Sequence, residues 1–353
     1  MDEGFCLKIL IIRLSALGDT IHTLPLVSAL KEKYPNCEIG WVVEDKAKQF
    51  VVNNPLVDNA FVIPKKNWKN RGFSFRNIRE FFSIISEINA HHYDIVIDTQ
   101  QLIKSAVIMA FLNIKRKITL NDGREFSCVF ANEIIKTQRK QFDVNYHVVR
   151  RNLEFAKYLG ANSDEVNFVL PPSSEEVMAK VTELLSPLDS RKKTVVIAPA
   201  TTWKNKHWKK ENWCEVVNNL KLDVNFILTA TNADKDLADF ILKNTNKEVL
   251  DLCGKTNLEE LTEVIKRADL VISPDSGTAH IAWATGNPSV ITIFCATSPN
   301  RTGPFGKKYI SIGPEIDCAP CMKKKCKLKL HNIPCTESII SDNIINIVNN
   351  LLQ

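Results

Sequence analysis

The stretch LKILII (7–12) running into RLSALGDTIHTLP (13–25) decides the fold. An apolar run of six residues is followed by a turn through Ser15 to Gly18. Ile21, Leu24 and Val27 then recur at helical spacing, which predicts a helix over 19–32. Strand, turn and helix in that order form the first half of a βαβ unit, and Asp19 falls at its strand-to-helix turn. In an open parallel sheet this is where strand ends build a ligand crevice and where helix N-termini favour anions.

The same grammar repeats outward from this stretch. Strands are expected at 38–43, 60–63, 94–98 and 116–120, with helices near 45–53, 77–90, 102–113 and 146–159. Val169 to Ser174 (VLPPSS) interrupts the pattern as a linker. It restarts with strands at 194–200, 225–230, 248–252, 269–275 and 289–294. The expected class is α/β, with two Rossmann-like domains, 1–172 and 173–353, facing across a crevice. A last helical pattern, 337–352, has no strand after it and is expected to pack back across the linker onto the N-terminal half.

Composition narrows the function. Hydrophobic residues at 44% and charged residues at 24% match an ordinary globular protein. The 46 Lys+Arg against 40 Asp+Glu are mostly dispersed, which argues against nucleic acid as a partner. No apolar run approaches the roughly 20 residues of a spanning helix. The opening MDEGFC does not read as a signal peptide, so a cytoplasmic location is expected. Both G-x-G-x-x-G and the P-loop are absent, which disfavours a conventional dinucleotide or nucleoside-triphosphate cradle.

Two segments of the second half suit an anion instead. In ISPDSGTAHIAWA (272–284), Asp275, Ser276, Gly277 and Thr278 form a tight turn opening a helix, with His280 one turn on; simple capping is the plainer alternative. In PATTWKNKHW (199–208), Thr201 and Thr202 precede Lys204 and Lys206, hydroxyls and ammonium groups suited to a diphosphate, against a solvated basic loop. Asp234, past the strand NFILTA, suits ribose hydroxyls. The Asp234-Lys235-Asp236 triplet also spells D-x-D, but fits the first turn of a helix better than a metal site.

In the first half, PKKNWKNRGFSF (64–75) interleaves Lys65, Lys66, Lys69 and Arg71 with Trp68. It suits an acidic acceptor, a membrane surface or a solvated loop. Gln100, Lys104 and Arg124 lie at other strand ends of the same half and extend the polar wall. Six cysteines are scattered singly. Cys318, Cys321, Cys326 and Cys335 are spaced C-x2-C-x4-C-x8-C around His331, which suits reduced structural thiols, a structural zinc or disulfides.

Taken together, RLSALGDTIHTLP, DTQQLIKSA, HVVRRNLEFAKYLG, PATTWKNKHW and SPDSGTAHIAWA resemble, in order and spacing, the ADP-heptose:lipopolysaccharide heptosyltransferases, inverting glycosyltransferases of the GT-B fold. GDxxHxxP with DxQxLxKSA is most similar to heptosyltransferase I, which adds heptose to Kdo-lipid A. The resemblance implies Asp19 as general base, and Lys206 with Thr201 and Thr202 on the donor diphosphate. It further implies Asp234 at the ribose and Asp275, Ser276, Gly277 and His280 in the donor motif. Lys66, Lys69 and Arg124 fall among acceptor-contacting positions. Apart from the resemblance, His22 lies one turn beyond Asp19 on the same helical pattern, which suits a neighbour of the acceptor or a structural residue. No metal or other cofactor is expected for catalysis, and the enzyme is expected to work peripherally at the inner face of the inner membrane. The chain departs from the pattern at Gln101, where the family usually has Gly, at Asp234, one methylene shorter than Glu, and at Asn67 and Asn70, positions often basic. The rivals are the second heptose transfer or another nucleotide-sugar transferase, a nucleotide-dependent oxidoreductase, and a nucleotide-binding module without turnover.

Overall fold

β1 (Lys8–Ile12) buries Ile9, Leu10, Ile11 and Ile12 completely, as a strand covered on both faces requires. Parallel to it run β2 (Glu38–Glu44), β3 (Asn59–Ile63), β4 (Ile95–Asp98), β5 (Arg116–Leu120) and β6 (Glu133–Ile135). Their order across the sheet is β3-β2-β1-β4-β5-β6. The computed structural model describes residues 6–72, 74–137, 139, 143–162, 164–328 and 333–353, and the chain divides into two compact units, Met1–Pro172 and Ser173–Gln353.

The second unit holds β7 (Thr194–Ile197), β8 (Asn225–Leu228), β9 (Val249–Asp251), β10 (Leu270–Pro274), β11 (Ser289–Ile293) and β12 (Tyr309–Ile312), again all parallel. Their order, read from one edge, is β9-β8-β7-β10-β11-β12. Each unit therefore carries the same doubly wound arrangement, and the α/β class expected from the sequence is the one observed. In both, the order reverses between the first and fourth strands, β1 and β4 or β7 and β10, and the loops leaving these two strands meet.

Helices cover both faces because their apolar residues recur at helical spacing. Ile85 and Ile88 of Phe75–Ala90 bury against Leu10, Val42 and Val96, while Val216 and Val217 of Lys210–Asn219 bury against Val195 and Phe226. The final helix, Ser341–Leu352, puts Ile344, Ile345 and Val348 into the core of the second unit, beside Lys210–Asn219.

Several local features differ from the sequence reading, and of the helix expected near 45–53 only the single turn Lys48–Phe50 forms. The helix expected over 19–32 is two helices, Leu17–Ile21 and Leu24–Lys33, with Pro25 in the first turn of the second, where its missing N–H leaves no bond unmade. The basic stretch open to a loop reading contains the helix Lys65–Arg71.

Candidate functional site

In the first unit the loops after β1 and β4 are tied together by buried polar contacts. Arg13 leaves β1 with a buried guanidinium that donates to the Thr99 carbonyl and pairs with Asp19 at 2.9 Å. Burial pushes the Arg13 pKa down, and the facing Asp19 carboxylate opposes it. Both Arg13 and the Ala16 N–H (3.2 Å) engage Asp19 Oδ2, and the Asp19 side chain stays 41% exposed. The carboxylate is thus held by one oxygen while the group still reaches solvent.

Gln100 Oε1 accepts the N–H groups of Leu14 (3.1 Å) and Ser15 (3.0 Å), which fixes the turn before Asp19. The Lys104 ammonium donates to Ser15 Oγ and Glu44 Oε1, both at 2.8 Å, and Lys65 donates to both oxygens of the same buried Glu44. Beneath them, Asp98 at the end of β4 is fully buried. It accepts the Gln100 and Gln101 N–H groups at 2.9 Å each and the Ser105 hydroxyl at 2.9 Å. Burial pushes its carboxyl up to about 6, against the pull of those donors. Gln101 sits at φ 55°, in the left-handed region that favours glycine.

Asp19, Gln100 and Lys104 therefore gather around one turn. Lys66 and Lys69 lie on the exposed face of Lys65–Arg71, where the Lys66 N–H donates to Asp45. Arg124 is exposed beyond β5, its N–H donating to the Gln101 carbonyl at 3.1 Å. His22 is not brought to this surface. It is 1% exposed, its ring lies 6.0 Å from that of His147, and its carbonyl accepts from Asn152.

The second unit repeats the arrangement with charged groups. Asp275 follows β10 and is almost fully buried. Its carboxylate pairs with Lys206 at 2.6 Å and with His280 Nε2 at 3.3 Å, and accepts from the Thr302 hydroxyl at 3.4 Å. Burial works to raise this carboxyl, but His280 and Lys206 together hold it well below the usual carboxylate range. Its carbonyl accepts from Lys206 (3.2 Å) and from the Thr201 hydroxyl (3.4 Å), so the loop after β7 closes onto the loop after β10.

The helix Gly277–Thr285 begins at this point. Ser276 occupies its N-cap position without a side-chain cap and shares a hydrogen bond with Ser273 instead. Capping alone therefore does not account for the motif: the Asp275 carboxylate is spent on Lys206, His280 and Thr302, and the positive end of the helix lies beside Ser276, Gly277 and Thr278. Thr202 and Lys204 are exposed on the neighbouring loop. The Lys206 ammonium lies 4.8 Å from the Trp203 ring, with Lys324 at 5.6 Å from the same ring, and Asn205 donates to the Lys323 carbonyl. Part of the basic run at 323–327 thus folds against the anion loop. Asp234 lies after β8 and accepts from the Thr231 hydroxyl at 2.6 Å at the head of Lys235–Asn244. Asp236 is in the first turn of that helix, as the dipole reading expects.

Arg13, Glu44, Asp98 and Thr302 are site neighbours that the sequence reading did not single out. The four clustered cysteines are free thiols, with Cys335 buried and Cys318 exposed, and His331 lies outside the described residues. Among the described residues, no three His, Cys, Asp or Glu side chains stand together to hold a metal ion. A cleft of roughly 500 Å³ lined by Lys8, Glu38, Asp58 and His91 opens at the N-terminal ends of β1 to β3. That is the end of a doubly wound sheet away from its usual ligand crevice.

Comparison with known proteins places this arrangement. Residues 81–331 match glycosyltransferase family 9 (heptosyltransferase). Lipopolysaccharide core heptosyltransferase OpsX of Haemophilus influenzae is 28% identical over 303 residues, 84% of this chain and 81% of that protein. Lipopolysaccharide heptosyltransferase 1 of Campylobacter coli is 30% identical over 311 residues, 84% of this chain and 86% of the relative. The solved structure of E. coli heptosyltransferase WaaC with ADP superposes with a TM-score of 0.76 at 23% identity, over 98% of this chain and all of that one, which shows the shared GT-B fold. The chain belongs to glycosyltransferase family 9, the heptosyltransferases.

Proposed function

We propose that this enzyme transfers heptose from ADP-heptose to the Kdo residue of a lipid A-linked inner core, with inversion at the anomeric carbon. The observation that carries the donor half of this reading is the Lys206–Asp275–His280 cluster beside the N-terminus of Gly277–Thr285. It offers an ammonium, hydroxyls and a helix N-terminus to a diphosphate. The ADP in the WaaC structure supports an ADP-linked donor, and the heptosyltransferase 1 name of the Campylobacter coli relative supports the first transfer.

In this reading Asp19 accepts the proton of the acceptor hydroxyl as its oxygen attacks the anomeric carbon. The bond from that carbon to the diphosphate oxygen breaks, and ADP leaves carrying the electron pair. A single displacement needs one base and no protein nucleophile. Lys206, Thr201 and the N–H groups near Ser276 to Thr278 stabilise charge growing on the diphosphate, a role worth about 3 kcal/mol per donor. Thr202 and His280 complete the donor wall, and Asp234 binds ribose hydroxyls. Gln100 and Lys104 shape the acceptor turn, while Lys66, Lys69 and Arg124 meet acidic groups of the acceptor. The reaction needs no metal, and the enzyme works on the cytoplasmic side, peripheral to the inner membrane.

The test is a transfer assay of ADP-heptose onto Kdo-lipid A beside the once-heptosylated acceptor, with and without EDTA. Transfer to Kdo-lipid A alone, undiminished by EDTA, is expected. Transfer only to the second acceptor would reassign the step, and binding of ADP without transfer to either would leave a binding module.

A further inference from the structure

We infer that the first unit carries a docking face for an anionic phospholipid bilayer, formed by two helices and a turn that leave apolar side chains in water. Phe75, Ile78 and Phe82 form one stripe on Phe75–Ala90, with Phe75 85% exposed. Ile103, Val107 and Phe111 form a second stripe, four residues apart on Ile103–Phe111, and all three are exposed. The stripes join where the Phe82 and Phe111 rings meet at 5.3 Å. On the other side the turn Ser127–Phe130 packs against Ile103–Phe111 and adds Phe126, 87% exposed, with Val129 at 68%. Exposed apolar residues are ordinary when scattered, but a contiguous group of this size marks a surface that something covers.

Charge selects the occupant. Between residues 65 and 80 the chain has Lys65, Lys66, Lys69, Arg71, Arg76 and Arg79 against Glu80 as the one acid. Arg71 and Arg76 are spent on Glu80, and Lys65 on Glu44. Lys66, Lys69 and Arg79 form no ion pair with the described residues. Arg79 lies one turn from both Phe75 and Phe82, so an exposed cation borders the apolar stripe. Aromatic rings flanked by cations suit the headgroup boundary of an anionic bilayer, where each cation near the surface contributes about 1 kcal/mol. A protein interface enriches Arg but depletes Lys, so the exposed Lys66 and Lys69 of the same basic segment favour the bilayer over a protein partner. The inference deepens the peripheral placement proposed above and rests on it only for location. Its test contains neither sugar donor nor acceptor.

The experiment is co-sedimentation of the full chain with vesicles of phosphatidylcholine alone or mixed with phosphatidylglycerol. Binding to the anionic vesicles, weakened by high salt and much weaker on phosphatidylcholine, is expected. Arg79→Ser should lower partitioning about fivefold, and Phe126→Ser with Val129→Ser at least about tenfold. Both sets of changes lie at exposed positions, and circular dichroism and Tm check the fold. A wild-type chain left in the supernatant would overturn the inference. So would equal binding by both variants, or an apolar variant that alters only self-association in sedimentation velocity. Loss of vesicle binding with transfer intact would leave the transferase reading standing.

Discussion

Asp98 and Asp275 occupy the same place in two copies of one strand order, at the end of the fourth strand beside the switch point, and the two units use them in opposite ways. Asp98 accepts only from neutral donors, two backbone N–H groups and a serine hydroxyl, and burial drives its carboxyl up to about 6 against those bonds and a lesser pull from the Arg13 guanidinium. Asp275 is equally hidden from water but faces an ammonium and an imidazole, and is held well below the ordinary range. Burial is common to both, so the partner set decides the direction. In the first unit the acid is a brace under a loop, and the group that reaches solvent is Asp19, one strand away. In the second the acid fixes Lys206 and His280 at the mouth of a helix, so it organises positive charge. The first arrangement fits a base and the second a diphosphate.

The largest expected effect breaks the first half of that contrast. Asp19→Ala should lower kcat about a thousandfold, the usual worth of a general base, with ADP affinity nearly unchanged. Near-normal turnover would remove Asp19 from the chemistry. Next, Lys206→Ala should cost about a hundredfold in kcat and also weaken ADP binding, because the ammonium serves bound donor and leaving group alike. Loss of kcat with unchanged ADP affinity, measured by calorimetry, would instead confine Lys206 to the transition state. A smaller loss is expected for Asp234→Ala, about tenfold in donor KM through missing ribose hydrogen bonds. Unchanged donor KM would move the ribose elsewhere.

How legible these parts were depended on whether their partners were local. The central strands were readable because burial on both faces writes continuous apolar runs such as LKILII and DLVIS. The two strands that went unread, β6 and β12, are edge strands. β6 is three partly exposed residues, and β12 has no fully buried residue, so neither carries such a run. Lys65–Arg71 buries no residue and has no apolar periodicity to betray a helix. At the donor end, Asp275 and His280 are one turn apart and visible as a motif. The closure of Lys206 onto Asp275 joins positions 69 residues apart, and only the fold supplies it. Arg13 and Asp98 were read as part of a motif and the end of a strand, since Arg13 bonds a carbonyl 86 residues away and Asp98 declares itself only through burial. Gln101 was noticed as a departure from glycine, and its φ of 55° shows why glycine suits that position.

The smallest effect separates the two aspartates by sign. A carboxyl raised from 3.8 to about 6 in the folded chain keeps its proton after the unfolded chain has lost one. Between about pH 4 and 6 the folded state then binds more protons, and the Asp98 contribution to stability falls as pH rises, on the order of 3 kcal/mol in all. Asp275 runs the other way: depressed when folded, it contributes stability above the ordinary carboxylate range that is lost as pH falls through its folded value. Asp98→Asn keeps the oxygen that accepts the Gln100 and Gln101 N–H groups, and its new amide can donate to Ser105 Oγ, whose hydroxyl can turn to the Leu102 carbonyl. Urea unfolding of that variant from pH 4 to 7 should lose the Asp98 decline and gain stability at neutral pH, while Asp275→Asn should lose stability there. An Asp98→Asn profile parallel to that of the wild type would mean that the backbone donors, rather than burial, set the Asp98 carboxyl, and the contrast between the two units would fail at its first term.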